Sequence, residues 1–152
     1  MVSSLNTRPV VLLAEDLDDD VVLFRTALAR VHSSADLRVV ADGQEVIDYL
    51  QGNHPFADRS QSPLPHLLIL DIAMPRVDGF QCLGFIRSQP HLRRLPVVML
   101  SGSRRDEDIN HAYQIGANSY LAKPIDFHRL AEDLAVLSQF WFALARLPSV
   151  SP

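Results

Sequence analysis

The chain has 152 residues, 47% apolar and 21% charged, with 14 basic against 18 acidic residues and a formal net charge of -4. That composition suits one ordinary folded domain and excludes a disordered or fibrous chain, while the negative balance leaves no electrostatic footprint for nucleic acid. The single cysteine, Cys82, excludes a disulfide scaffold and argues against a cysteine-built zinc site; no apolar run is long enough to span a membrane, and the polar Met1–Thr7 lacks the apolar core of a signal peptide, so a cytoplasmic location is expected.

The first predicted strand is the apolar run Val10–Ala14, of the kind buried on both faces of a parallel sheet. Val21, Phe24, Leu28 and Val31 then recur at helical spacing. The acidic run Asp18–Asp20 lies where that helix starts and its dipole favours negative charge. Leu37–Val40 is a weaker strand, followed after Asp42-Gly43 by a helix carrying Val46, Ile47 and Leu50. Gln51 to Pro65 contains three prolines and reads as a long surface loop. Leu67–Leu70 is the third strand, and a helix with Phe80, Leu83 and Ile86 follows Asp78-Gly79. Val97–Leu100 is the fourth strand, followed by a helix bearing Ile109, Ala112, Tyr113 and Ile115 that Gly116 ends. Ser119–Leu121 is the fifth strand, and a last helix runs from the N-cap Asp126 towards Leu147. Strict alternation of strand and helix predicts an α/β fold with a parallel sheet and helices on both faces.

In such a sheet all strands end on one edge, where open α/β sheets bind ligands. Glu15-Asp16, Asp71, Ser101 and Lys123 follow four of the predicted strands. Crowded carboxylates stay ionised only beside a compensating cation. Mg2+ prefers such oxygen ligands, and Lys123 adds a second positive charge. A carboxylate beside Mg2+, an ammonium and a hydroxyl is equipped to accept a phosphoryl group. Asp71 would be the nucleophile, with Mg2+ and Lys123 neutralising the transferred oxygens.

In order, Glu15-Asp16, the run from Leu70-Asp71 through Met74-Pro75-Arg76 to Asp78-Gly79, Leu100-Ser101-Gly102, Gly116-Ala117-Asn118 and Tyr120-Leu121-Ala122-Lys123-Pro124 resemble the receiver domains of two-component response regulators, the CheY-like family. The resemblance spans residues 8–145. It implies a doubly wound five-stranded parallel sheet in the order 2-1-3-4-5 with five helices. It implies that a sensor histidine kinase phosphorylates Asp71, and that Ser101 and Lys123 bind the phosphoryl group. Asp16, Asp71 and the carbonyl of Ala73 would hold Mg2+, with Glu15 acting directly or through water. Ser101 and Tyr120 would form the switch, and the Lys123–Pro124 bond would be cis. The chain is then a phosphoacceptor that assists its own phosphotransfer and dephosphorylation, not an enzyme acting on a separate substrate. The long loop and the C-terminal stretch from Leu137 through Phe140-Trp141-Phe142 to Leu147-Pro148 resemble single-domain regulators that partner phytochromes. A phytochrome kinase and an unknown downstream protein, or a phosphorelay, are the expected partners.

Three other readings compete. A haloacid-dehalogenase-type phosphatase also uses a strand-end Asp with Mg2+, but needs a second Asp two residues on, where this chain has Ala73. A flavin or nucleotide module wants a Gly- or Ser/Thr-rich phosphate loop after the first strand, where this chain has acidic residues from Glu15 to Asp20. A phosphorylation-independent, protein-binding receiver-like module would have no need of the whole residue set.

The six histidines, His32, His54, His66, His91, His111 and His128, show no metal spacing and read as surface or loop residues. Cys82 reads as packed and Arg104-Arg105 as a solvated helix start. On the last helix Phe127, Leu130, Leu134, Leu137 and Trp141 make a core stripe, leaving Val136, Phe140, Ala143, Leu144 and Leu147 outside it. That is more apolar surface than a monomer usually exposes. A homodimer is expected, with Phe140, Trp141, Leu144 and Leu147 in its interface. One domain over 1–152 is expected, with its core about 8–147 and flexible tails at 1–7 and 148–152.

Overall fold

The computed structural model describes residues 8–31 and 34–150, so the expectations for 1–7, His32 and 151–152 lie outside the described residues. Five strands, β1 (Val10–Ala14), β2 (Asp36–Val40), β3 (Leu67–Leu70), β4 (Val97–Ser101) and β5 (Ser119–Ala122), pair in parallel. Their order is β2-β1-β3-β4-β5, as the resemblance implies. Every residue of β1, β3 and β4 is buried, which is why these three read as unbroken apolar runs. The helices are α1 (Asp18–Val31), α2 (Gly43–Gln51), α3 (Gly79–Ser88), α4 (Asp106–Ile115) and α5 (Phe127–Ser138). Two cores flank the sheet. One gathers Val46, Leu50, Leu83, Ile86 and Ala112 from α2, α3 and α4; the other gathers Phe24, Leu28, Leu134 and Leu137 from α1 and α5.

Local chemistry places the helix starts at the strand-end edge. Asp42 caps α2 by accepting the Glu45 N–H at 2.9 Å, and Asp78 caps α3 in a reciprocal pair with Gln81. The loop from Gly52 to Pro65 is irregular but anchored. The Arg59 guanidinium donates to the carbonyls of Tyr49, Leu50 and Ser62, and the Tyr49 hydroxyl donates to Pro63 O at 2.7 Å.

Two expectations are corrected. The last α-helix stops at Ser138 rather than near Leu147, passes into a π-helical turn at Gln139–Leu144, and is extended at Ala145. The wider turn brings both Trp141 and Phe142 against the α1/α5 core, and Pro148 cannot extend a helix. Next, the cis peptide bond among the described residues is His54–Pro55, and Lys123–Pro124 is trans. Trans is the lower-energy isomer of an X–Pro bond by about 0.5–1 kcal/mol. The turn closes on it, with the Lys123 N–H on Ser101 O at 2.7 Å and Asp126 capping α5 through the His128 N–H. His66 lies in the loop before β3, within the surface-or-loop reading, and its Nδ1 accepts the Val10 N–H at 3.0 Å from a half-buried position. His54, His91, His111 and His128 are exposed, as expected. Beyond the π turn, Leu147–Val150 and Leu64–His66 line one cleft, and Val150 packs on the α2/α3/α4 core.

Candidate functional site

The sheet ladder assembles the site. The Glu15 N–H donates to Val40 O at 3.1 Å and the Asp71 N–H to Ala14 O at 3.3 Å, so both carboxylates emerge side by side where β1 and β3 end. Glu15 is 4% and Asp71 7% exposed. Ser101 closes β4, also buried, and its carbonyl holds the Lys123 N–H just past β5. The Lys123 Nζ bonds to Glu15 Oε2, to Asp71 Oδ2 at 2.9 Å and to Asp20 Oδ2 at 3.3 Å. Glu15, Asp16 and Asp71 each bring an oxygen within 4.8 Å of the others. Ala73 lies exposed two residues beyond Asp71, and its N–H donates to Asp71 Oδ1 at 3.4 Å.

Burial raises the Glu15 carboxyl above its ordinary range, and the Asp71 charge adds to this against the opposing pull of Lys123. Burial alone would lower Lys123, but its bonds to Glu15 and Asp71 overturn that and hold the ammonium above its ordinary value. Three carboxylates, those of Glu15, Asp20 and Asp71, thus share one ammonium, and Asp16 adds a fourth beside Glu15 and Asp71. An all-oxygen, negatively charged set with one exposed member fits a hard divalent cation such as Mg2+ or Mn2+.

The sequence places Ser103 beside the expected phosphoryl position, two residues after Ser101, but does not show what it bonds to. Its N–H donates to Ser101 Oγ at 3.3 Å and its carbonyl accepts the Tyr120 hydroxyl at 2.8 Å. Its own hydroxyl donates to Asp108 Oδ2 at 2.5 Å and accepts the Arg105 N–H at 3.3 Å. The two expected switch residues are therefore joined through Ser103, which also holds the first turn of α4. A serine shortly before an acidic helix start is a capping signal that could have revealed it. Asp20 reads as part of an acidic helix start that adds negative charge around the metal, and its Oδ2 accepts from Lys123 at 3.3 Å.

The surface expected to pair divides in two. Val136, Phe140 and Leu144 are exposed, at 70%, 48% and 74%. Trp141, expected both in the core stripe and at the pairing surface, packs on the α1/α5 core, and Leu147 is half-buried.

The model of the response regulator receiver domain matches residues 11–135. The chain belongs to the response regulator receiver domain family. This receiver domain is 31% identical over 144 residues to response regulator Rcp1 of Synechocystis, a match covering 95% of this chain and 96% of Rcp1. The crystal structure of the Mn(2+)-bound form of Rcp1 matches with a TM-score of 0.83 over 93% of this chain and 99% of that one. A response regulator in red light signaling of R. palustris is 41% identical, with a TM-score of 0.88 over 93% of this chain and 99% of that chain. The phosphorylated cyanobacterial phytochrome response regulator RcpA is 34% identical, with a TM-score of 0.87 over the same shares. The receiver domain is thus akin to phytochrome response regulators. No helix among the described residues is long and apolar enough to cross a membrane.

Proposed function

We propose that this receiver domain accepts a phosphoryl group on Asp71 from the phosphohistidine of a sensor kinase and signals through the change of shape that follows. One observation carries the reading: the Lys123 ammonium bonds at once to the buried Asp71 and Glu15 at the common edge of the strands. An Asp71 oxygen forms the new bond to phosphorus as the phosphorus–nitrogen bond breaks, and the imidazole leaves with the bonding pair. Lys123 follows the charge onto the transferred oxygens, and the Ser101 hydroxyl donates to one of them. Mg2+, held by Asp16, Asp71 and the Ala73 carbonyl, with Glu15 directly or through water, would neutralise the remaining charge. The Mn(2+)-bound form of Rcp1 and the phosphorylated form of RcpA support the cation and the modification.

The chain acts as a phosphoacceptor that assists its own transfer and hydrolysis, and not as an enzyme on a separate substrate. Its likeness to red-light and phytochrome regulators points to a phytochrome kinase in the cytoplasm. The output passes to a downstream protein or a phosphorelay, with the receiver domain paired as a homodimer. The test is acid-labile labelling by a small phosphodonor with Mg2+. Asp71→Asn should abolish it, while Glu15→Gln and Asp16→Asn should chiefly weaken Mg2+ binding. Undiminished labelling of Asp71→Asn would overturn the reading.

A further inference from the structure

Arg76 lies between β3 and α3 with φ 65°, the non-glycine residue of positive φ among the described residues. That left-handed region disfavours a side chain with a Cβ, and an arginine there invites the question of what its side chain does. It forks onto Asp42: Nε donates to Oδ2 at 2.9 Å and Nη2 to Oδ1 at 3.0 Å. Such a planar two-point pair fixes orientation as well as distance. Asp42 is only 15% exposed in its side chain and is itself held as the cap of α2. The next residue, Gly43, abuts the loop so closely that a Cβ would sit 1.9 Å from Val77 O. At the loop's other end the Gly79 N–H donates to Ile72 O at 2.8 Å. The segment from Ala73 to Pro75 is thus suspended between two pins, one at Ile72–Gly79 and one at Arg76–Asp42.

We infer that the Arg76–Asp42 fork is a positioning pair: it holds the Ala73 carbonyl where it can ligate the cation of the acidic site, and so sets the site's affinity for divalent metal. This rests on the proposed reading that Asp16, Asp71 and the Ala73 carbonyl hold such a cation, with Glu15 directly or through water. Neither partner is a metal ligand, and the pair acts only through the loop backbone.

Arg76→Gly separates positioning from folding, because glycine accepts φ 65° without strain while the fork is lost. Calorimetry of the intact chain with Mg2+ alone, at constant ionic strength, should show a Kd raised on the order of tenfold. Amide exchange at residues 73–77 of the metal-free protein should quicken, with the denaturation midpoint no lower than the parent's. Asp42→Asn keeps a capping side chain and should weaken Mg2+ in the same direction. The double variant should be no weaker than Arg76→Gly alone. A Kd for Arg76→Gly within twofold of the parent, or fully additive losses in the double variant, would overturn the inference while leaving the functional reading intact. A parent protein that binds no Mg2+ would overturn both.

Discussion

His66 exchanges two hydrogen bonds with Val10: Nδ1 accepts the Val10 N–H at 3.0 Å, and the His66 N–H donates to Val10 O at 2.8 Å. Only an unprotonated Nδ1 can accept, so protonating it must break the first bond. Burial lowers the pKa of His66 below its ordinary 6.5. The unfolded chain then takes up a proton as pH falls through about 6.5 while the folded chain resists it, so folding is favoured above that pH and weakened below it. In a His66→Asn variant the side-chain amide can offer its Oδ1 as the acceptor without a titrating proton. Denaturant unfolding should show the parent losing stability relative to His66→Asn as pH falls below about 6.5, by at most about 1.4 kcal/mol per pH unit. Parallel pH profiles would contradict this. Nothing in the string of residues marked His66, because its role depends on β1 lying next to the start of β3. The site residues were legible for the opposite reason. Glu15, Asp71 and Ser101 each follow an unmistakable apolar run, and one parallel sheet is enough to bring those ends together. The contacts of Ser103 and Arg76 were not, since they cross loops whose shape the residues alone do not specify.

Two glycines of α3 test how an element is seated. A Cβ on Gly79 would meet Asp71 O at 2.2 Å, whereas one on Gly84 would meet nothing within 4 Å. The first clash is with backbone and cannot be relieved by a rotamer change. Gly79→Ala should lower stability by about 3 kcal/mol or more, pushing the first turn of α3 off the segment that carries Asp71. Gly84→Ala should raise it by about 0.5–1 kcal/mol, since glycine inside a helix only adds entropy to the unfolded chain. Denaturation midpoints of the two variants should therefore move in opposite directions, and equal shifts would contradict the close approach. The start of α3 was readable in Asp78-Gly79, a cap followed by a residue without a side chain. The end of α5 was not. Helical spacing continues through Leu147, and only packing of Trp141 and Phe142 on the α1/α5 core converts the last turns to π geometry. Pro124 likewise carried the family's pattern without showing which isomer the turn would need.

At the scale of the whole molecule, the chain of hydrogen bonds Ser101–Ser103–Tyr120 runs from the acidic edge towards the side formed by α4, β5 and α5. β5 is an edge strand, so that side is where the sheet stops. A phosphoryl oxygen that accepts from the Ser101 hydroxyl would draw this side chain towards Asp71 and away from the Ser103 N–H. Loosening that bond frees the loop that holds both Tyr120 and the first turn of α4. A beryllofluoride-type phosphate mimic should therefore change amide exchange in α4 and β5. Identical exchange with and without it would disconnect the site from this face.

The same side carries the surface proposed for pairing. Val136, Phe140 and Leu144 recur every four residues across the end of α5 and the π turn, and all three are exposed. The T-shaped contact of Phe140 with Trp141, at 5.0 Å between centroids, ties this stripe to the core and limits how far Phe140 can swing inward. Tyr113 on α4 is 49% exposed as well. Burying several hundred Å2 of such surface at about 25 cal/mol per Å2 would contribute several kcal/mol before the entropic cost of association. A two-fold arrangement sets each stripe against its copy, so one substitution acts twice. Phe140→Asp would place two carboxylates across the axis and leave both desolvated, while removing a ring that is already half exposed in the single chain. Sedimentation at micromolar concentration should give a dimer mass for the parent and a monomer mass for Phe140→Asp, with similar denaturation midpoints when both are measured as monomers at high dilution. A parent that sediments as a monomer, with a mass unchanged by the substitution, would mean that the stripe is not a pairing surface in solution.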